Sequence, residues 1–208
     1  SPHPKYDPCT CNRPIDLAFI IDSSGSIGED DFTRILQFIT NVVYGLNIGP
    51  DETQVAVVKF SDKANVEFYL KSYTDLARLT LAVANINYIG LGTNTAEALR
   101  VTAGSVFVQR NGMRSDAAKV AVVITDGRSN SRIQTKDAAL ILKSTGAIVF
   151  SIGVGNVNPV ELETISSDVD CTHVFILNDF SEIETITSDI QKKACRGKIL
   201  LLLLHPYF

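Results

Sequence analysis

Apolar residues recur along the chain with two different periods. Runs of neighbouring apolar residues predict strands over residues 15–21, 54–60, 66–70, 119–125, 147–154 and 173–177. Apolar residues at helical spacing predict helices over residues 32–46, 75–86, 95–108, 136–143, 160–165 and 180–192. Strands that alternate with helices are typical of an α/β protein with a mostly parallel sheet. Residues 66–70 follow the preceding strand after a short connection, which favours an antiparallel hairpin at a sheet edge.

Composition and charge exclude several classes of protein. A chain of 208 residues with 45% hydrophobic residues can bury a substantial core, so we expect one folded domain and no extensive disorder. The net charge of −4 argues against nucleic-acid binding, which needs clustered positive charge. The longest apolar run, residues 199–204, is far shorter than the roughly 20 residues that span a bilayer. We expect a flank with prolines and cysteines over residues 1–12, a domain over 13–195 and an apolar tail of unknown role over 196–208.

The four cysteines bear on the cellular compartment. Cys9, Cys11, Cys171 and Cys195 form no Cys-x-x-Cys pair, so a zinc ribbon or a thioredoxin-type motif is not expected. Their even number is compatible with two disulfides in a secreted protein, which is the interpretation we prefer. Four free thiols in a cytosolic protein are the alternative.

Two strand ends and one loop supply the residues of a candidate metal site. Asp22 and Asp126 each follow a predicted buried strand, and ligands of open parallel sheets bind at such carboxyl ends. Ser24 and Ser26 can converge with Asp22 as the chain turns from strand to helix, and a further loop contributes Thr93. Carboxylates and hydroxyls are hard oxygen ligands, which suit Mg²⁺, Mn²⁺ or Ca²⁺ and not zinc or copper. Each segment alone is also typical of an ordinary helix cap or turn, but their combination favours a divalent metal.

The same segments carry a resemblance to a known family. From about Arg13 to Cys195 the chain resembles the von Willebrand factor type A domain, also called the integrin I-like domain. Residues 22–26, 92–95 and 123–127 resemble the metal-ion-dependent adhesion site of that family. The resemblance implies a Rossmann-like, doubly wound and mostly parallel sheet of six strands in the order 3-2-1-4-5-6, flanked by helices, with strand 3 antiparallel at one edge.

The resemblance also implies a role for each site residue. Ser24 and Ser26 would contact the metal directly, and Thr93 would do so directly or through water. Asp22 and Asp126 would act mainly through water and balance the charge. The implied cofactor is Mg²⁺, with Mn²⁺ or Ca²⁺ as substitutes.

The function implied by the resemblance is that of a secreted adhesion or matrix-assembly module that binds a partner's carboxylate at the metal. Domains of the matrilin and collagen VI kind are closest in outline, so the implied partners are extracellular matrix or cell-surface proteins, with collagen among the candidates. Collagen-binding integrin domains carry an extra helix after the fifth strand. Residues 155–158 leave no room for such a helix, which argues against integrin-style collagen binding. The alternatives are binding through a face away from the metal and an intracellular metal-dependent scaffold.

Polar residues that follow Asp126 form a candidate ligand rim. Arg128, Asn130 and Arg132 would surround the metal, where the two positive charges favour an acidic partner. A solvated loop without a binding role is the alternative for this segment.

An enzyme is the rival class of function. Ser26 does not lie in the Gly-x-Ser-x-Gly sequence of a nucleophile elbow. His3 and His205 are near the chain ends, and His173 begins a strand, at the opposite end of the sheet from Asp22. A Ser-His-Asp triad is therefore not expected, and we predict that the chain is not an enzyme.

The implied fold places the cysteines at the end of the sheet opposite the metal. Cys9 and Cys11 are too close in sequence to pair easily. Two arrangements remain open, Cys11–Cys195 with Cys9–Cys171, or Cys9–Cys195 with Cys11–Cys171. The family resemblance favours a bond between the two domain flanks without choosing between Cys9 and Cys11.

Overall fold

A single sheet with helices on both faces organises the chain. The computed structural model describes residues 13–167 and 173–196. The strands are β1 (Ile15–Asp22), β2 (Thr53–Phe60), β3 (Ala64–Phe68), β4 (Ala118–Thr125), β5 (Ile148–Val154) and β6 (Val174–Leu177). They lie in the order β3-β2-β1-β4-β5-β6, and all neighbours are parallel except β2 and β3. This confirms the doubly wound, mostly parallel α/β sheet with one antiparallel edge strand.

Helices follow most of the strands. The α-helices are α1 (Gly28–Tyr44), α2 (Leu76–Ala84), α3 (Thr95–Val101), α4 (Arg132–Ser144), α5 (Pro159–Ile165) and α6 (Thr187–Arg196). A π-helical turn at Thr102–Val106 and two 3-10 segments at Gln109–Asn111 and Phe180–Ile186 accompany them. Among the described residues, no helix is both long and apolar enough to cross a membrane.

The central strand β1 is buried along its whole length, which explains its almost continuous apolar sequence. Its successive side chains enter two separate cores. Phe19 packs in the core that contains Phe32 of α1. Ile20 packs on the other face of the sheet with Leu99 of α3 and Leu142 of α4. Each such side chain contributes about 1.5–3 kcal/mol through burial, so the central strands are held firmly from both faces.

Three predicted elements are shifted or shortened in the structure. The edge strand, predicted over 66–70, is Ala64–Phe68, because the Ser61 amide donates to the Lys63 carbonyl at 3.0 Å and closes the turn early. The helix predicted over 95–108 ends as an α-helix at Val101, and the Phe107 amide then donates five residues back to Thr102. The helix predicted over 180–192 begins with the 3-10 segment, and regular α-helix starts only at α6.

Two helices begin earlier than the apolar spacing predicts. The helix predicted over 136–143 starts at Arg132, because Ser131 caps it by accepting a hydrogen bond from the Gln134 amide. The helix predicted over 32–46 starts at Gly28, where acidic residues of the first turn suit the helix dipole. Between β5 and α5 lie only residues 155–158, as the sequence indicates, without an additional helix.

Cys195 lies in the last turn of α6, where it packs against the core and is disulfide-bonded. The other three cysteines lie outside the described residues, so the choice between the two pairings stays a prediction. The predicted flank over 1–12 also lies outside the described residues, and so does the predicted tail over 196–208 except for Arg196, which ends α6. A disulfide favours the secreted over the cytosolic interpretation of the cysteines.

Candidate metal centre

Three segments meet at the carboxyl ends of the central strands. We call residues 22–26 the first site loop, residues 90–95 the second and residues 126–130 the third. Asp22 is the last residue of β1, Asp126 directly follows β4, and these two strands are neighbours in the sheet. The chain order of the sheet reverses between them, which is where open α/β sheets bind ligands.

The structure brings together all five side chains that the sequence indicates. The Ser26 hydroxyl donates to Asp126 Oδ1 at 2.9 Å, and the Oγ atoms of Ser24 and Ser26 are 3.2 Å apart. Asp22 Oδ1 accepts a hydrogen bond from the Ser24 amide at 2.8 Å. A Cβ atom placed on Gly127 would lie 3.8 Å from Ser26 Oγ and 4.0 Å from Thr93 Oγ1. The backbone of the third site loop therefore lies within contact distance of the hydroxyls from the first and second site loops.

The two carboxylates sit in a poorly solvated environment. Asp22 is fully buried, and burial raises its pKa to about 6 although Thr125 and Ser24 donate hydrogen bonds to it. The Thr125 hydroxyl bond to Asp22 Oδ2 is only 2.6 Å long. Burial also raises the pKa of Asp126, which the hydrogen bond from Ser26 opposes. A bound cation would restore the electrostatic stabilisation that these carboxylates lose on leaving water.

Backbone hydrogen bonds fix the first site loop against the second. The Gly25 amide donates to the Leu91 carbonyl at 2.7 Å, and the Gly90 amide donates to the Ser23 carbonyl at 2.9 Å. A Cβ atom on Gly25 would come within 3.3 Å of the Gly90 carbonyl, so the close approach favours glycine. The Tyr88 hydroxyl adds a bond to the Ser24 carbonyl at 2.9 Å.

The second site loop is held in turn by the β2–β3 turn and by the third loop. Asp62 accepts a hydrogen bond from the Gly92 amide at 2.9 Å, and its carbonyl accepts one from the Asn94 side chain. The Asn130 amide donates to the Thr93 carbonyl at 2.9 Å. These bonds fix the position from which Thr93 presents its hydroxyl.

The donor set fits a hard divalent cation. It consists of two carboxylates and three hydroxyls, and the described part of the chain contains no cluster of three or more His, Cys, Asp or Glu residues suited to a metal. Two carboxylates balance a divalent charge, and neutral hydroxyls leave a position for an external ligand. The site therefore suits an ion that can take one further negative ligand.

The predicted rim residues follow Asp126 closely in the sequence and have exposed side chains. Arg128 and Asn130 belong to the third site loop and are exposed, and exposed Arg132 is the first residue of α4. His173 lies before β6, where its ring stacks on Phe150 with 4.9 Å between ring centroids. It thus lies at the amino end of the sheet, away from Asp22, as the sequence indicates.

Sequence reasoning missed four residues that shape the site. Thr125, Asp62, Tyr88 and Glu161 each donate to or accept from a site residue or a site loop. Thr125 could have been found because it directly precedes Asp126. The other three lie far from their partners in the sequence, and no local pattern indicates them.

Comparisons with known proteins bear on the interpretation of this geometry. The family model of the von Willebrand factor type A domain matches residues 16–189. The chain is 32% identical to Matrilin-2 of Mus musculus over 197 residues, covering 93% of this chain and 20% of that protein. It is 35% identical to the Collagen alpha-4(VI) chain of Mus musculus over 190 residues, covering 91% of this chain and 8% of that one.

A solved structure adds a view of the metal site. Proximal thread matrix protein 1 from the mussel byssus, with a zinc-occupied MIDAS motif, superposes with a TM-score of 0.82 at 30% identity. The match covers 90% of this chain and 47% of that chain. In that relative the motif holds zinc, so the expectation that this type of site excludes zinc is too narrow.

The relatives place the chain among secreted proteins of the extracellular matrix. This confirms the resemblance to matrilin and collagen VI domains and the expected extracellular location. The chain spans less than half the length of each relative named above.

Proposed function

The chain belongs to the von Willebrand factor type A domain family, and on that premise we propose that it is an adhesion or matrix-assembly module that binds a partner through a divalent metal. The observation that carries the proposal is the convergence of five oxygen-bearing side chains at the ends of β1 and β4. The partner is an extracellular matrix or cell-surface protein, with collagen among the candidates. The module extends over residues 13–195 and has a binding role, not a catalytic one.

Each side chain of the site has a role in this proposal. Asp22, Ser24, Ser26, Thr93 and Asp126 would hold the ion. Mg²⁺ is the preferred ion and Mn²⁺ or Ca²⁺ would substitute for it, because carboxylates and hydroxyls are hard ligands. The ion would supply a Lewis-acidic position for a partner carboxylate. The hydrogen bond from Ser26 orients Asp126, and Gly127 places the third site loop beside the hydroxyls of Ser26 and Thr93.

Removal of Asp126 tests the metal site directly. We expect Asp126→Ala to weaken Mg²⁺ binding about 100-fold, the upper end of the 10–100-fold cost of losing a group that acts on a metal without touching it, because a charge that balances the ion is lost as well. Isothermal titration with Mg²⁺ measures this, and EDTA should abolish capture of the partner from a matrix extract. Asp137→Ala is the matched control, because Asp137 is an exposed aspartate on α4 away from the site. Mg²⁺ affinity that survives Asp126→Ala would refute the metal site.

The same experiment also tests whether the partner binds through a face away from the metal. If Asp126→Ala and EDTA remove the metal but leave partner capture intact, the partner binds through a face away from the metal. That result would preserve the adhesion role and overturn the metal-bridge mechanism.

The rim arginines should steer an acidic partner to the site. We expect the Arg128→Glu and Arg132→Glu double variant to slow association about tenfold or more at low salt, with a smaller effect at high salt. Surface plasmon resonance with the captured partner measures the association rate. The control is Arg78→Glu with Arg110→Glu, the same charge reversal at exposed positions outside the site loops. Equal association rates in both double variants would show that the rim is a solvated loop without a role in binding.

A further inference from the structure

Glu161 lies outside the three site loops, and its buried carboxylate accepts a hydrogen bond from the third site loop. It lies in the first turn of α5 and is 6% exposed. Its Oε1 accepts a hydrogen bond from the Ser129 amide at 3.1 Å. Its Oε2 and the Ser129 hydroxyl are also buried and have no hydrogen-bond partner among the described residues. Burial of a carboxylate costs free energy unless its oxygens are paired or hydrogen-bonded, so a half-satisfied buried carboxylate calls for an explanation.

The bond to Glu161 is one of three hydrogen bonds that backbone amides of the third site loop donate. The Gly127 amide donates to Thr125 Oγ1 at 3.2 Å, and the Asn130 amide donates to the Thr93 carbonyl at 2.9 Å. Ser129 lies between these two anchors. It is anchored by a side chain that comes from a different element of the fold. A shift of Ser129 would therefore be transmitted toward Asp126 in one direction and toward Thr93 in the other.

The neighbouring amides of Ser129 and Asn130 connect α5 to the second site loop. Ser129 bonds to Glu161, and the next amide bonds to Thr93. Gly127, the residue after Asp126, lies next to the Ser26 and Thr93 hydroxyls and has no side chain to brace the third site loop against the second. The backbone of the third site loop must maintain this spacing, and the Glu161 bond restrains that backbone at its midpoint.

We infer that Glu161 is a positioning residue for the metal centre, which holds the third site loop so that Asp126 and Thr93 keep the spacing that a divalent cation requires. The inference rests on the proposed function. Groups that orient metal ligands without touching the metal commonly contribute 10–100-fold to metal affinity. Without the hydrogen bond to Glu161, the third site loop would have to become ordered when Mg²⁺ binds, and this ordering would cost part of the binding free energy.

Three variants separate the hydrogen bond from the charge. Glu161→Met keeps the length of the side chain and removes the acceptor, and Glu161→Gln removes the charge but keeps an oxygen for the Ser129 amide. Glu163→Met is the matched control, because it removes the same charge from an exposed position on the same helix. We expect Glu161→Met to weaken Mg²⁺ binding about tenfold, while Glu161→Gln and Glu163→Met stay within about threefold of the parent chain. Isothermal titration with Mg²⁺ gives these affinities.

A second readout concerns the metal-free protein. In EDTA, hydrogen exchange at the Ser129 amide should accelerate about tenfold or more in Glu161→Met and stay unchanged in Glu163→Met, because only the first loses the acceptor. Should Glu161→Met fail to fold, Glu161→Gln still tests the inference. Its Ser129 amide must remain protected and its Mg²⁺ affinity must be retained.

The outcomes separate this inference from the proposed function. Parent-like Mg²⁺ affinity in Glu161→Met, with loss in Asp126→Ala, overturns the positioning role and leaves the metal site standing. An equal loss of Mg²⁺ affinity in Glu161→Met and Glu161→Gln would show that the charge of Glu161 matters and not its hydrogen bond to Ser129. That result also overturns the positioning role. Mg²⁺ affinity unaffected by Asp126→Ala overturns the proposed function itself.

Discussion

The Arg114→Met substitution is expected to lower the free energy of unfolding by about 3–5 kcal/mol, the range typical when one partner of a buried ion pair is removed. Its partner Asp16 lies in β1 and is fully buried. Without the guanidinium, the carboxylate would lose its counter-charge in the interior of the protein. Urea unfolding in EDTA measures the change, and in a domain of this size the melting temperature should fall by about 10 °C.

The geometry of this pair explains the size of the effect. The Arg114 side chain donates to Asp16 Oδ1 from Nε at 2.9 Å, and the Arg114 amide donates to Oδ2 at 2.7 Å. The same guanidinium also donates to the carbonyls of Ile15, Pro50 and Glu52. Burial raises the pKa of Asp16, and the bonds from Arg114 oppose that rise. One side chain thus joins the start of β1 to the segments before β2 and β4.

Controls isolate the buried charge. Arg110→Met removes an exposed arginine nearby in sequence and should change stability by less than about 0.5 kcal/mol. Adding Asp16→Asn to Arg114→Met should recover part of the loss, because the orphaned charge is removed. Mg²⁺ affinity should stay unchanged, because six residues of strand put Asp16 about 20 Å from Asp22. A double variant no more stable than Arg114→Met would contradict this account.

The fold was largely predictable because each element contains its own signal. The strands β1, β4 and β5 are buried on both faces, so they are mostly apolar, and the helices between them have one apolar face. The role of Asp16 was not predictable. It is one polar position in an apolar run, and its partner Arg114 lies 98 residues further along the chain.

The site residues were predictable for a related reason. Asp22 and Asp126 terminate buried strands, and parallel strands bring their carboxyl ends to one edge. The residues that hold this arrangement were not predictable, because their bonds join distant segments. Glu161 meets Ser129 across 32 residues, and Asp62 meets Gly92 across 30. The sequence indicates which side chains converge at the site but not which ones support them.

Asp22→Asn should change stability and metal binding in opposite directions. Burial raises the pKa of Asp22 from 3.8 to about 6. Between these two values the folded protein keeps a proton that the unfolded chain releases, so the free energy of unfolding falls as the pH rises. Above pH 6 the metal-free domain bears the full cost of burying the ionised Asp22. At 1.36 kcal/mol for each pKa unit, the rise from 3.8 to about 6 corresponds to about 3 kcal/mol. Asparagine has no such charge, so the variant should be up to about 3 kcal/mol more stable at pH 7 in EDTA.

The higher stability of Asp22→Asn should disappear at low pH, and the parent should become the more stable protein when Mg²⁺ is bound. Near pH 4 the parent Asp22 is protonated when folded, so the two proteins should have similar stability. In Mg²⁺ at about 1,000 times its dissociation constant, the parent should gain about 4 kcal/mol. The variant should gain little, because one of its two carboxylates is gone. Urea unfolding at pH 4 and pH 7, in EDTA and in Mg²⁺, covers all four conditions.

Matched substitutions assign these effects to Asp22. Asp137→Asn removes a charge from the exposed face of α4 and should shift neither the pH dependence nor the gain from Mg²⁺. An Asp22→Asn protein less stable than the parent in EDTA at pH 7 would show that burial of this carboxylate is not the dominant cost. The expected reversal would instead mean that the unliganded domain sacrifices stability to keep a buried negative charge. A bound cation would offset that cost, so the reversal of stability in Mg²⁺ would support the metal site without any partner protein.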